Sequence, residues 1–147
     1  MLLKIFPLLI ISVVFYNLLV FGGTLFVPEG ETVDMFLARD IMAPTMFSGE
    51  VWHFRIGDLV ILLTLALLFV ETIKATDTTS QGVINHGLSM AVFVISLIEF
   101  LVLDRFATSV FFFITIMTLM DVVAGFTISI VAAKRDLGAA GGLIGTN

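Results

Sequence analysis

Four runs of largely apolar residues constrain this chain more than any other feature, because a helix needs about 20 such residues to cross a hydrocarbon core of ~30 Å. They cover 5–27, 54–73, 83–103 and 106–133. Only the Asp104-Arg105 corner separates the third from the fourth. With 59% hydrophobic and 13% charged residues, against about half and a quarter in a soluble domain, the chain reads as all-α and membrane-embedded. We therefore expect one membrane domain over 1–147, a four-transmembrane-helix bundle whose first partner is the lipid bilayer. Helices suit that solvent because they satisfy their own backbone groups.

The opening MLLKIFPLLIISVVFYNLLVFGG has the basic residue and apolar core of a secretory signal. Its apolar stretch is longer than the usual 7–15 residues and no A-x-A-like site follows, so it reads as a retained span. Pro7 falls in its first turns, where a missing N–H costs least. Orientation follows the Lys/Arg bias of short loops. A cytoplasmic N-terminus puts Lys4, Lys74, Lys134 and Arg135 inside, with Arg39, Arg55 and Arg105 outside. Both termini are then expected in the cytoplasm.

The outer loop, 28–53, is the one connection long enough to have structure of its own. Thr32 and Asp34 suit the cap of a short amphipathic helix carrying Met35, Phe36, Leu37 and Ile41, and Pro44 suits its stop. That segment is expected on the bilayer surface, with Ser48-Gly49 turning the chain toward an interfacial Trp52. The inner loop ATDTTSQG offers turn and N-cap chemistry for the third span. The Gly-rich tail, 137–147, reads as flexible.

Ionisable groups at membrane depth are costly, and each marks a site until shown otherwise. Asp121 lies inside the fourth span, on a face shared with Thr115, Thr118, Gly125, Ser129 and Ala132 at about 100° per residue. At the depth expected for it, Tyr16, Asn17 and Thr64 are its hydrogen-bond partners. Asp121, Thr118, Asn17, Tyr16 and Thr64 thus form the candidate intramembrane polar site, either a lock for the bundle or a carrier of protons. At the outer interface Arg55, Asp58, Glu99 and Arg105 form a second cluster, in which Arg55 pairs with Asp58 and Glu99 with Arg105 or Arg55. At the inner interface His86 lies near Glu71 and Lys74. On the second span Gly57, Thr64 and Glu71 recur every seven residues, the pattern of a packing seam.

The 12 acidic and 7 basic residues leave a net charge of −5, which lacks the basic footprint of a nucleic-acid binder. The absence of cysteine removes disulfides, thiolate metal sites and cysteine nucleophiles. No phosphate-binding, nucleotide-binding, metalloprotease or serine-hydrolase motif is present. No enzyme, no metal and no dedicated cofactor is expected, although a bundle like this accommodates a bound lipid or quinone.

The pieces GDLVILLTLALLFVETIKAT, NHGLSMAVFVISLIEFL and ATSVFFFITIMTLMDVVAGFTISI resemble a family of small four-span inner-membrane proteins of Gram-negative bacteria that has no known activity. The resemblance covers the second through fourth spans and implies a bacterial inner membrane and four helices. The expected function is that of a non-catalytic accessory or structural subunit of a larger membrane complex, or of a homo-oligomer. The alternative is a small oligomeric channel or proton-coupled transporter using Asp121.

Overall fold

The structure is a computed structural model that describes residues 6–22, 25, 27–76 and 80–144, with side chains of 80, 81, 83 and 136–144 left aside. Among the described residues five helices and a two-stranded hairpin follow one another: α1 (Ile10–Phe21), α2 (Val33–Leu37), β1 (Asp40–Met42), β2 (Phe54–Arg55), α3 (Ile56–Lys74), α4 (Ser80–Val102) and α5 (Ser109–Ile144). Three of them contain segments long and apolar enough to cross a membrane, at Ile56–Lys74, Ile84–Val102 and Ser109–Arg135.

The first apolar run differs in extent from its sequence expectation. Its regular helix, α1, has 12 residues, about 18 Å at 1.5 Å per residue. Pro7 shapes the start. The N–H groups of Ile10, Ile11 and Ser12 bond to the carbonyls of Pro7, Leu8 and Leu9 in tighter three-residue turns before the α-helix sets in. Gly22 closes the other end, donating its N–H to Leu18 at 2.8 Å. Residues 5, 23, 24 and 26, which the expected span also includes, lie outside the described residues, as do residues 1–4 and the turn at 77–79.

At the other terminus the helical backbone reaches into the tail expected as flexible at 137–147. The α5 backbone continues through Gly138, Gly141 and Gly142 to Ile144. Extending an existing helix adds one hydrogen bond per residue fixed, whereas starting one fixes several residues for a single bond. A 36-residue helix therefore carries its glycines along. Residues 145–147 lie outside the described residues.

The bundle is organised around α5, which packs most extensively on α4 and α3. On α3 the buried positions are Gly57, Val60, Thr64, Leu68 and Glu71, steps of three and four that make one face. The glycine is needed there. A Cβ at Gly57 would lie 2.8 Å from Val110 Cγ2 and 3.2 Å from the Leu37 carbonyl oxygen. On α5 the polar stripe from Thr115 through Thr118 and Asp121 to Gly125 is buried, while Phe112, Phe113 and Phe126 stay exposed.

The loop at 28–53 is half helix and half hairpin, and the expected short helix ends before Ile41. Thr32 Oγ1 accepts the Met35 N–H at 3.2 Å and starts α2 as its sequence suggests. The helix stops at Leu37, and Ile41 enters β1, which pairs antiparallel with β2. An isolated Thr45–Val51 bridge extends the hairpin. At the tip Met46 N–H bonds to the Glu50 carbonyl at 2.8 Å and Gly49 N–H to Met46 at 2.9 Å. Gly49, at φ 88°, supplies the left-handed turn that other residues resist.

Candidate functional site

At the hairpin end of the bundle Tyr16, Phe106 and Phe111 are fully buried. Tyr16 and Phe111 lie with ring centroids 4.6 Å apart, and Phe106 meets Phe111 edge-on at 4.8 Å. The Tyr16 hydroxyl reaches Thr108 Oγ1 at 2.5 Å. The same oxygen accepts the Phe111 N–H at 3.2 Å, capping α5. One threonine thus starts a helix and holds the tyrosine of another. Nearby, Asn17 Nδ2 donates to Glu99 Oε2 at 3.0 Å.

Those contacts separate the expected intramembrane polar site. Asp121 forms no hydrogen bond to Tyr16, Asn17 or Thr64 among the described residues: Tyr16 takes Thr108, Asn17 takes Glu99, and Thr64 Oγ1 lies 2.9 Å from Ser12 Oγ. Thr118 is on the expected face but spends its hydroxyl on the Thr115 carbonyl at 2.7 Å. The reason is depth. Because α1 runs antiparallel to α3, with Leu8 at the level of Glu71 and Ser12 at that of Thr64, Tyr16 and Asn17 stand near the hairpin. Asp121 lies beyond Met117, which packs with Leu9 and Leu68 in an apolar layer.

The outer-interface cluster is also rearranged. Arg55 and Asp58 do meet, but through the backbone, with Arg55 N–H donating to Asp58 Oδ2 at 2.9 Å. The carboxylate there closes the first turn of α3. The Arg55 guanidinium points instead toward Asp40, Nε to Oδ1 3.8 Å, and His53 Nδ1 lies 2.7 Å from Asp40 Oδ2. Glu99 takes the Asn17 amide and forms no ion pair with Arg55 or Arg105 among the described residues. Its face of α4 turns toward α1. Arg105, at φ 70° in the tight corner, is exposed and borders a cleft of about 500 Å³ shared with Glu29, Glu31 and Asp34.

The expected inner-interface group does assemble, and it gathers further members. Glu71 is fully buried. Its Oε2 accepts the Leu8 N–H at 2.8 Å, and its Oε1 accepts both Asn85 Nδ2 at 2.6 Å and the Lys74 ammonium at 2.8 Å. Lys74 also donates to the Phe6 carbonyl at 2.6 Å. One carboxylate and one ammonium thereby tie α3 and α4 to the segment that leads into α1. Charge-assisted bonds of this kind are about twice as strong as neutral ones.

His86 stands in the field of both Glu71 and Lys74. Its ring occupies the notch left by Gly125, where a Cβ would lie 2.7 Å from Cε1. Asp121 completes the nest from α5 and is only 2% exposed. It is influenced by the Ser89 hydroxyl, Glu71 and Lys74. Asn85 Oδ1 and Ser89 Oγ are enclosed without a hydrogen-bond partner of standard geometry among the described residues. Asn85 is the member that the sequence analysis missed. Its signal is positional: Asn85, Ser89, Val92 and Ser96 follow helical steps of four, three and four on the buried face of α4.

No protein-family model, no curated protein and no solved structure matches the chain.

Proposed function

We propose that this protein is a non-catalytic structural subunit of a bacterial inner membrane, crossing it four times with both termini in the cytoplasm. It acts by docking a larger membrane complex or another copy of itself. The observation that carries this reading is the hairpin. Phe47 at its tip is fully exposed, and Ile41, Met42, Met46, Val51 and Trp52 are each at least 40% exposed. A cluster of exposed apolar residues on a hairpin outside the long helices suits a contact site. The polar groups along the bundle support the same reading, because Glu71, Lys74, Asn17 and Tyr16 are engaged in joining helices.

The reading is tested by a photo-crosslinking residue at position 47 in intact membranes. Crosslinks to one protein species support docking through the hairpin, and lipid adducts alone contradict it. Cysteines placed at 29 and 78 test the topology, since membrane-impermeant reagent should label them from opposite sides. A second reading, an oligomeric channel or proton-coupled transporter, draws on the buried Asp121 beside Ser89. Against it, the Leu9–Leu68–Met117 layer separates that nest from the polar pairs nearer the hairpin. Asp121→Asn distinguishes the two. A subunit keeps its assembly with the amide, whereas a proton carrier loses flux while remaining folded.

A further inference from the structure

We infer that the cleft bordered by Arg105 is a binding site for a zwitterionic head group that carries a primary ammonium and a phosphate. The inference goes beyond the subunit reading and does not depend on it. At about 500 Å³, the cleft falls within the roughly 300–1,000 Å³ usual for small-molecule sites. Its apolar side is made by Leu19, Val20, Val27 and Val33, which are 3–6% exposed. Its polar side carries Glu29, Glu31, Asp34 and Arg105. An apolar wall with a few charged groups is the lining that small-molecule sites share.

Position and charge narrow the occupant. The segments able to cross a membrane include one that ends at Val102 and one that begins at Ser109. Arg105 and Thr108 line the cleft from the short corner between them. The cleft therefore sits where the helices leave the apolar layer, the level of lipid head groups. Within it Glu31 is already engaged by the Arg39 guanidinium, whereas Glu29, Asp34 and Arg105 form no ion pair among the described residues. An anion alone would face two carboxylates, and a cation alone would face the guanidinium. A zwitterion answers both. The guanidinium fork matches phosphate, and a primary ammonium brings three N–H donors to carboxylates. A quaternary ammonium brings none. The same head chemistry is offered by a bilayer lipid, phosphatidylethanolamine, and by free O-phosphoethanolamine.

The test is thermal unfolding of the purified full-length protein in detergent micelles doped at equal mole fraction with phosphatidylethanolamine, phosphatidylcholine or phosphatidylglycerol. A parallel series adds O-phosphoethanolamine to undoped micelles. A ligand bound only by the native state raises the melting temperature as its concentration rises. Phosphatidylethanolamine should raise the wild-type midpoint several degrees more than the other lipids, because the phosphatidylcholine head has no N–H and the phosphatidylglycerol head has no cation. Arg105→Gln and Glu29→Gln should each lose most of that difference. A gain from the lipid without one from O-phosphoethanolamine identifies a bilayer lipid, and a gain from O-phosphoethanolamine alone identifies a free solute. If neither compound exceeds phosphatidylcholine and phosphatidylglycerol, the proposal is overturned. A preference that persists undiminished in both variants overturns it equally. The comparison of compounds on the wild type requires no substitution, so a variant that does not fold leaves the proposal open to refutation.

Discussion

At the hairpin end the helices meet through closed pairs, Tyr16 with Thr108 and Asn17 with Glu99. At the opposite end one carboxylate, Glu71, takes three donors, while Asn85 and Ser89 each keep an enclosed oxygen without a partner among the described residues. The same bundle thus uses polar groups in two ways. A closed pair fixes the distance between two helices and has nothing further to offer. An incomplete network holds α3, α4 and the segment that leads into α1, and leaves acceptors unused. The aromatic packing around Tyr16 makes the first region rigid, whereas the second rests on charge and on one glycine notch.

The comparison is sharpened most by Glu71→Leu. It removes the carboxylate from the Lys74 ammonium, the Asn85 amide and the Leu8 N–H, and breaking a buried pair from one side costs about 3–5 kcal/mol. Denaturant unfolding in mixed micelles should register that loss, and adding Lys74→Met should recover much of it. Gly125→Ala should come next, because its Cβ would force the His86 ring to move. Overpacking of this kind costs about 1–3 kcal/mol, and the shift should appear in thermal unfolding and in the His86 imidazole resonances.

At the hairpin end Tyr16→Phe keeps the ring and removes one hydrogen bond, a change of about 1 kcal/mol. Thr108 still caps α5 in that variant, so helix content by circular dichroism should hold. A loss as large as that of Glu71→Leu would erase the proposed difference between the two ends. The smallest effect belongs to His53→Ala. Its pairing with Asp40 is about half exposed, and exposed pairs contribute roughly 0.5 kcal/mol or less.

Much of this arrangement was legible in the chain. Helical periodicity identified the buried stripe of α5 and the Gly57–Thr64–Glu71 seam of α3, because a face is a local property of one helix. Thr32 announced the start of α2 through its cap. What periodicity does not carry is the relative depth of separate helices. That is why the sequence pairs Asp121 with Tyr16, Asn17 and Thr64, whereas the fold gives those three Thr108, Glu99 and Ser12. The hairpin was missed because Ile41 was counted with the amphipathic helix. The Ser48-Gly49 turn between Met46 and Val51, followed by Trp52 and Phe54, carried the contrary signal, since Gly turns flanked by β-branched and aromatic residues favour strands. Glu99 was assigned to arginines on charge alone. An uncharged amide on the neighbouring helix was nearer.

The most direct test of the central claim is native mass spectrometry of the protein extracted from its own membrane in mild detergent, for the wild type and for Phe47→Ser. The account predicts that the wild type emerges well above the 16.0 kDa of one chain, with further subunits or copies attached, and that Phe47→Ser loses them while staying folded. Recovery of the wild type as a 16.0 kDa monomer with lipid adducts alone would contradict it.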